Sequence, residues 1–343
     1  MKIARDLLKP FVAVVLGLVL GLLISALAGE DPLYVLEVLV KGAFGTRYDF
    51  GMTLYYTTSL AFTGLAVAIP FQAGLFNIGA EGQLTLGALA AAAVGIVFPN
   101  IAWPLAPILA VLAAFSAGAF WGAIPGYLRA KRGSHEVINT IMLNFIAAGL
   151  ASWVTLYLLR NTQSQNPETK AVGAGYLISH LDFFGDAPTS SAIFLVLFVA
   201  FIVWIFLYKT VWGYELRAVG QSEKAARAAG INDAKVRIFA MALGGGIAGL
   251  VAVPEVLGNS ARFKMGFSPD YGFIGIAVAL LGRGRPLGVL AAALLFGALH
   301  KGTADLDLET EHITRDFSMI LEALVILAIS AEGIWNLKRR RKK

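Results

Sequence analysis

Residues 213–231 read GYELRAVGQSEKAARAAGI. The stretch carries Glu215, Arg217, Glu223, Lys224 and Arg227, with long apolar segments on both sides. Leu216, Val219, Ala225, Ala226 and Ala229 fall between the polar residues at spacings that give a short helix one small-residue face. Gly213, Gly220 and Gly230 punctuate it. This pattern predicts a helix–turn–helix lying across a membrane surface rather than through it. A charged knob between apolar spans needs something to push on.

The surrounding chain sets that knob in a membrane. Of 343 residues, 57% are hydrophobic and 15% are charged. A soluble domain carries about 25% charged residues, so the composition is that of a polytopic membrane protein. Thirty-seven glycines suit helices that approach closely without a hydrophobic drive between them. The absence of cysteine excludes disulfides and thiolate metal sites. A formal net charge of +6 could suggest nucleic acid, but the basic residues track one side of the expected spans.

Apolar segments are expected at 11–28, 53–69, 84–98, 105–128, 137–159, 191–208, 238–257, 272–281, 286–299 and 317–335. The stretch 29–51 reads as a polar excursion, and residues 160–190 form the longest polar loop. Residues 272–281 reach only about 15 Å, half of the hydrocarbon core. The segments placed inside are 1–10, 129–136, 209–237, 283–285 and 338–343. They hold three, three, six, two and six Lys or Arg, 20 of the chain's 28. This bias puts both termini and the knob in the cytoplasm and loop 160–190 outside the cell membrane. The expectation is therefore an all-α, multi-pass protein of the inner (plasma) membrane, with about ten transmembrane segments including discontinuous helices.

Two Gly-containing interruptions, 71–87 and 281–297, each precede a small-residue-rich apolar helix. Paired breaks of this kind point to internal repetition and a midplane site. The first holds Phe76-Asn77-Ile78-Gly79-Ala80-Glu81-Gly82-Gln83, the densest polar cluster within an apolar region. Backbone that leaves helix geometry at membrane depth must be buried in protein or line a wet cavity. Phe76, Asn77, Glu81 and Gln83 are thus candidates for a substrate pathway. Glu81 has a structural alternative as the cap of a half-helix N-terminus. Asn144, deep in 137–159, is a further ligand candidate, whereas Asn139 fits helix packing. Glu136 reads as a helix-start charge, and Glu255 as a solvated loop carboxylate. Glu322 and Glu332 in the last segment are placed to pair with Arg or Lys neighbours.

No nucleophile–base pair, metal cluster or paired carboxylates accompany these residues, so no catalytic residue and no metal ligand is assigned. No G-x-x-x-x-G-K-[ST] motif occurs, since Lys301-Gly302-Thr303 lacks the preceding glycine spacing. ATP-driven work would require a separate ATPase, and the knob is the cytoplasmic feature large enough to receive one.

Three motifs carry a family resemblance. Leu216–Gly220 followed by Ala225–Ile231 resembles the coupling-loop signature of ABC importer permeases of the branched-chain amino acid, ribose and nucleoside type. FNIGAEGQ is similar to that family's motif after the second span. HEVINTIMLNF, from His135 to Phe145, is similar to the pattern of the nucleoside-type subgroup, and the length suits the larger permease of such systems. The chain departs from the family at Ser222-Glu223, where Asn-Pro is frequent, and at Ala228, where an aromatic residue is common.

The resemblance implies a single permease domain over 1–343 of the type II-like fold. It implies a cytoplasmic coupling loop at 209–237 and an extracytoplasmic loop at 160–190. Within the coupling loop, Glu215, Arg217, Gly220, Ala225, Ala226, Arg227 and Gly230 would meet the ATPase. The implied partners are an ABC ATPase holding ATP and Mg, a second permease (a paralogue) and an extracytoplasmic substrate-binding protein. This chain would bind no cofactor and would move nucleosides by alternating access. The rivals are a simple-sugar or branched-chain amino acid importer of the same superfamily and, in a different class, an ion-driven secondary transporter.

Overall fold

The computed structural model describes residues 2–314, 316–317 and 319–328, with side chains from residue 12 onward. Glu332, the basic tail 338–343 and the rest of the expected last segment lie outside the described residues. The described chain is almost wholly helical. Among the described residues seven helices are long and apolar enough to cross a membrane, and three shorter apolar helices accompany them.

Two compact units divide the chain. The first comprises Met1–Thr57, Phe183–Ala187 and Leu294–Lys343. It holds α1 (Lys2–Leu27), α2 (Pro32–Phe44), the start of α3 (Arg47–Gln72) and the end of α12 (Pro286–Glu309). The stretch expected as a polar excursion is mostly α2. Asp31 caps it by accepting from the Leu33 N–H at 2.9 Å, and Pro32 fits its first turn. Val35, Val38 and Leu39 are buried against Leu299, Leu306 and Leu321, which leaves Glu37 and Lys41 on the open face. The i, i+3, i+4 apolar spacing outweighs the charges between. In the same unit Lys301 is 7% exposed and sits between Asp49 at 3.1 Å and Asp305. Among the described residues Glu322 lies 4.0 Å from the imidazole of His300.

The second unit comprises Thr58–Asp182 and Pro188–Ala293. It contains the rest of α3, α4 (Ala80–Val97), α5 (Leu105–Arg132), α6 (Glu136–Trp153), α7 (Ala192–Lys209), α8 (Val211–Gln221), α9 (Glu223–Ala228), α10 (Asp233–Gly249), α11 (Tyr271–Leu281) and the start of α12. α6 continues as a π-helix over Val154–Leu158, and a second π-helix spans Val253–Ser260. Ala110, Ala114, Gly118, Gly122 and Gly126 form a buried small-residue stripe on α5, recurring every four residues. It meets the glycines of α10 backbone to backbone. A Cβ on Gly118 would lie 2.2 Å from the Gly245 oxygen, and one on Gly249 would lie 2.2 Å from the Ala114 oxygen. Close approach of this kind is how apolar helices associate without a hydrophobic drive.

α3 runs through Pro70 to Gln72, so the expected break is shorter, residues 73–79. Pro70 has no N–H for the Ala66 carbonyl. The backbone of Gly244 closes over that oxygen, at a distance a Cβ would reduce to 2.5 Å. Glu255 is not a solvated loop carboxylate. It is 5% exposed within the second π-helix and accepts from the Ser59 hydroxyl at 2.7 Å. The π turn keeps this residue inside the bundle, where a hydroxyl supplies the partner that a buried polar group needs.

Loop 160–190 is pinned by polar contacts. Arg262 donates to Glu168 at 2.7 Å and Asn161 donates to it at 3.0 Å. Burial pushes the Glu168 carboxyl up, but the bonds from Arg262, Asn161 and Ser164 outweigh it and hold the group below its ordinary value. The Met265 N–H donates to the Pro167 carbonyl at 3.0 Å, which fastens the chain before α11 to this loop.

Candidate functional site: the helix break and the surface knob

Residues 73–79 leave the helix, yet their polar groups are accounted for. Asn77 and Gln83 are buried and exchange two amide hydrogen bonds, at 2.9 and 3.1 Å. The Asn77 oxygen also accepts from the Gly79 N–H at 3.1 Å. Asn144 reaches over from α6. Its oxygen accepts from the Gly82 N–H at 2.9 Å, and its amide donates to the Ile78 carbonyl at 3.0 Å. One side chain thus replaces two backbone partners that the break removed. Three of the five expected pathway residues are therefore joined to the broken backbone or to each other. Phe76 is half-buried, its ring 6.2 Å from that of Phe71.

Glu81 opens α4 and accepts from the Gly272 N–H of α11 at 2.8 Å. Two half-helix N-termini therefore meet at one carboxylate, which offsets the partial positive charge of the second. Gly272 is required there, since a Cβ would lie 2.3 Å from the Glu81 nitrogen. The capping alternative describes the observed contact of Glu81. The contact itself was not legible, because 191 residues separate the partners.

The knob is built as two short helices. Thr210 caps α8 by accepting from the Gly213 N–H at 3.1 Å, and Ser222 caps α9 by accepting from the Ala225 N–H at 3.3 Å. The Arg217 guanidinium stacks 5.1 Å from the Tyr208 ring centroid, and its Nε donates to the Gly213 carbonyl at 3.3 Å. Arg227 grips Asp233 through two bonds of 2.9 Å and pairs with Glu223 at 2.8 Å. Arg237 of α10 joins Glu223 as well. Leu216, Val219 and Ala226 are buried, Lys224, Ala225, Ala228 and Ala229 are exposed, and Glu215 is half-buried. Gly230 turns the chain into α10 at φ 82°.

Knob and break touch. The α8 backbone at Gly220 packs on the end of α3, where a Cβ would stand 2.1 Å from the Gln72 oxygen. Gly74, at φ 72°, faces the Gly220 backbone in turn. The Gln72 side chain donates to the Gly284 carbonyl in the α11–α12 turn at 3.0 Å. The knob, the break and that turn form one contact group. At the start of α6, Glu136 is buried and pairs with Arg129 at 3.3 Å, while Asn139 accepts from Ser134 at 2.9 Å.

Membrane-length helices, with an interrupted helix packed on a charged helical knob, define a multi-pass membrane protein. Residues 50–330 match the family described as "Branched-chain amino acid transport system / permease component", and the chain belongs to that family. It is 35% identical to the guanosine ABC transporter permease protein NupP of Bacillus subtilis, over 100% of this chain and 98% of that protein. It is 33% identical to the nucleoside ABC transporter permease protein NupB of Lactococcus lactis, over 96% and 92%. It is 35% identical to the glucose ABC transporter permease protein TsgB13 of Haloferax volcanii, over 90% and 85%. The chain is a non-catalytic, multi-pass inner-membrane permease subunit of an ABC importer, a system that implies an ATPase and a substrate-binding partner.

Proposed function

We propose that this permease carries nucleosides inward. The observation that carries the reading is the end-to-end similarity to a permease named for guanosine, alongside a second named for nucleosides. Ten transmembrane segments, with both termini cytoplasmic, form half of the pathway, and a paralogous permease forms the other half. The domain is the whole of 1–343, with 209–237 as its coupling loop and 160–190 facing the extracytoplasmic binding protein. The ATPase receives α8 and α9 through Glu215, Arg217, Gly220, Ala225, Ala226, Arg227 and Gly230. ATP-driven closure moves this knob, and the Gly220–Gln72 contact passes the movement to the break. Phe76 and Glu81 stand beside the path, while Asn77, Gln83 and Asn144 hold its wall in shape.

A simple sugar is the second reading, favoured by the similarity to a glucose permease. Uptake of labelled guanosine, adenosine, ribose, glucose and leucine in a strain lacking this chain separates the readings. A loss of nucleoside uptake is expected. A sugar defect with nucleoside uptake intact would overturn the choice.

A further inference from the structure

α11 has eleven residues and so spans about 16 Å. Its C-terminal turn lies at the knob, through Gln72 and Gly284. Its N-terminus therefore lies about halfway through a hydrocarbon core of about 30 Å. From the opposite side, Met265 is fastened to loop 160–190, and five residues lead from it to Asp270. Both constraints put Asp270 near mid-depth. The backbone from 261 to 270 is irregular, which at that depth requires a protein or water environment.

Asp270 is exposed, and no described side chain donates a hydrogen bond to its carboxylate. Glu81, its electrostatic neighbour, is already engaged by the Gly272 N–H. Phe273, one turn along α11, is 43% exposed. An Asp side chain standing against lipid at this depth costs about as much as several apolar residues contribute, so the surface it occupies is wet. A free carboxylate next to an open aromatic face is the usual equipment for a ring bearing vicinal hydroxyls. The carboxylate accepts two O–H bonds and the ring covers an apolar face.

We propose that Asp270 and Phe273 line the translocation path at its midpoint and that Asp270 holds the vicinal hydroxyls of the transported sugar moiety. This rests on the nucleoside reading for its substrate, and for its location on the placement of 209–237 and 160–190 at opposite faces of the membrane. The chain contains no cysteine, so an introduced thiol is the single one in this subunit, and labelling is read on this subunit's band after separation. In the complete importer reconstituted in vesicles, Phe273→Cys and Asp270→Cys are labelled with a water-soluble, charged methanethiosulfonate. Labelling is expected about tenfold faster than at Phe198→Cys on the apolar face of α7 or at the buried Ala277→Cys.

In the Phe273→Cys protein, guanosine slows labelling and 2′-deoxyguanosine, which lacks the vicinal pair, does not. Adding Asp270→Asn, which tolerates the left-handed backbone at this position (φ 62°), abolishes the protection. Labelling no faster than at Phe198→Cys overturns the location. Equal protection by the two guanosines, or protection that survives Asp270→Asn, overturns the hydroxyl contact. Protection by ribose or glucose but not by guanosine leaves the site in place and removes the nucleoside reading.

Discussion

The α-carbon of Gly220 rests on the carbonyl oxygen of Gln72 so closely that a methyl group on it would stand 2.1 Å away. This contact joins the surface knob to the last residue of α3. Gly220→Ala must force the two backbones apart, and no flexible side chain is present to yield. The expected outcome is a protein that inserts normally and keeps its ATPase but loses most transport. The check is uptake measured beside ATPase activity in vesicles, and full transport by Gly220→Ala would contradict the role given to this contact.

The Asn77–Gln83 pair makes a different demand. Asn77→Leu leaves the buried Gln83 amide without partners, a loss of about 1–3 kcal/mol. Replacing both by Leu removes the polar groups together and should cost less than the single change. Thermal unfolding of the purified permease in detergent, arranged as a double-mutant cycle, reads the difference.

Much of this was legible beforehand, and the failures share a cause. The knob stood out because its charges interrupt apolar sequence, and caps and turn glycines are local signals. The break was visible from Pro70 and its glycines, though Pro70 proved to lie within the last turn of α3. The partners that close the break, Asn144 and Gly272, lie far along the chain and leave no local trace. α2 was missed because Glu30, Asp31 and Glu37 drew attention from Val35, Val38 and Leu39. Glu255 was misjudged because position along a span does not reveal that a π turn carries the residue inward. The buried Lys301, held by Asp49 and Asp305, had only its run of polar neighbours as a clue.

Acid should loosen loop 160–190. Because Glu168 lies below its ordinary value of 4.5 when folded, its contribution is fully present above that value. It is lost as pH falls through the lower folded value. Protease nicking of the largely exposed stretch 162–166 is therefore expected to rise at low pH. Glu168→Gln should raise nicking at neutral pH and flatten the pH dependence.

The α9 cap offers a milder perturbation. Ser222→Ala removes the acceptor for the Ala225 N–H and should cost about 1 kcal/mol, confined to the knob. Hydrogen exchange across 222–229 should accelerate by about fivefold while α10 is unchanged. Protection that is lost equally in α10 would mean that the two elements open as one.

The glycine contacts between α5 and α10 bear on how force is handled inside this permease. Helices separated by side chains can slide, because rotamers give way. Helices touching carbonyl to α-carbon, as at Gly118 and Gly245, cannot do so without breaking contact outright. α10 begins at Asp233, which Arg227 of the knob grips from outside the membrane-length helix. A pull applied there reaches α5 through backbone contacts, with no side-chain rotamers between the two helices to absorb it.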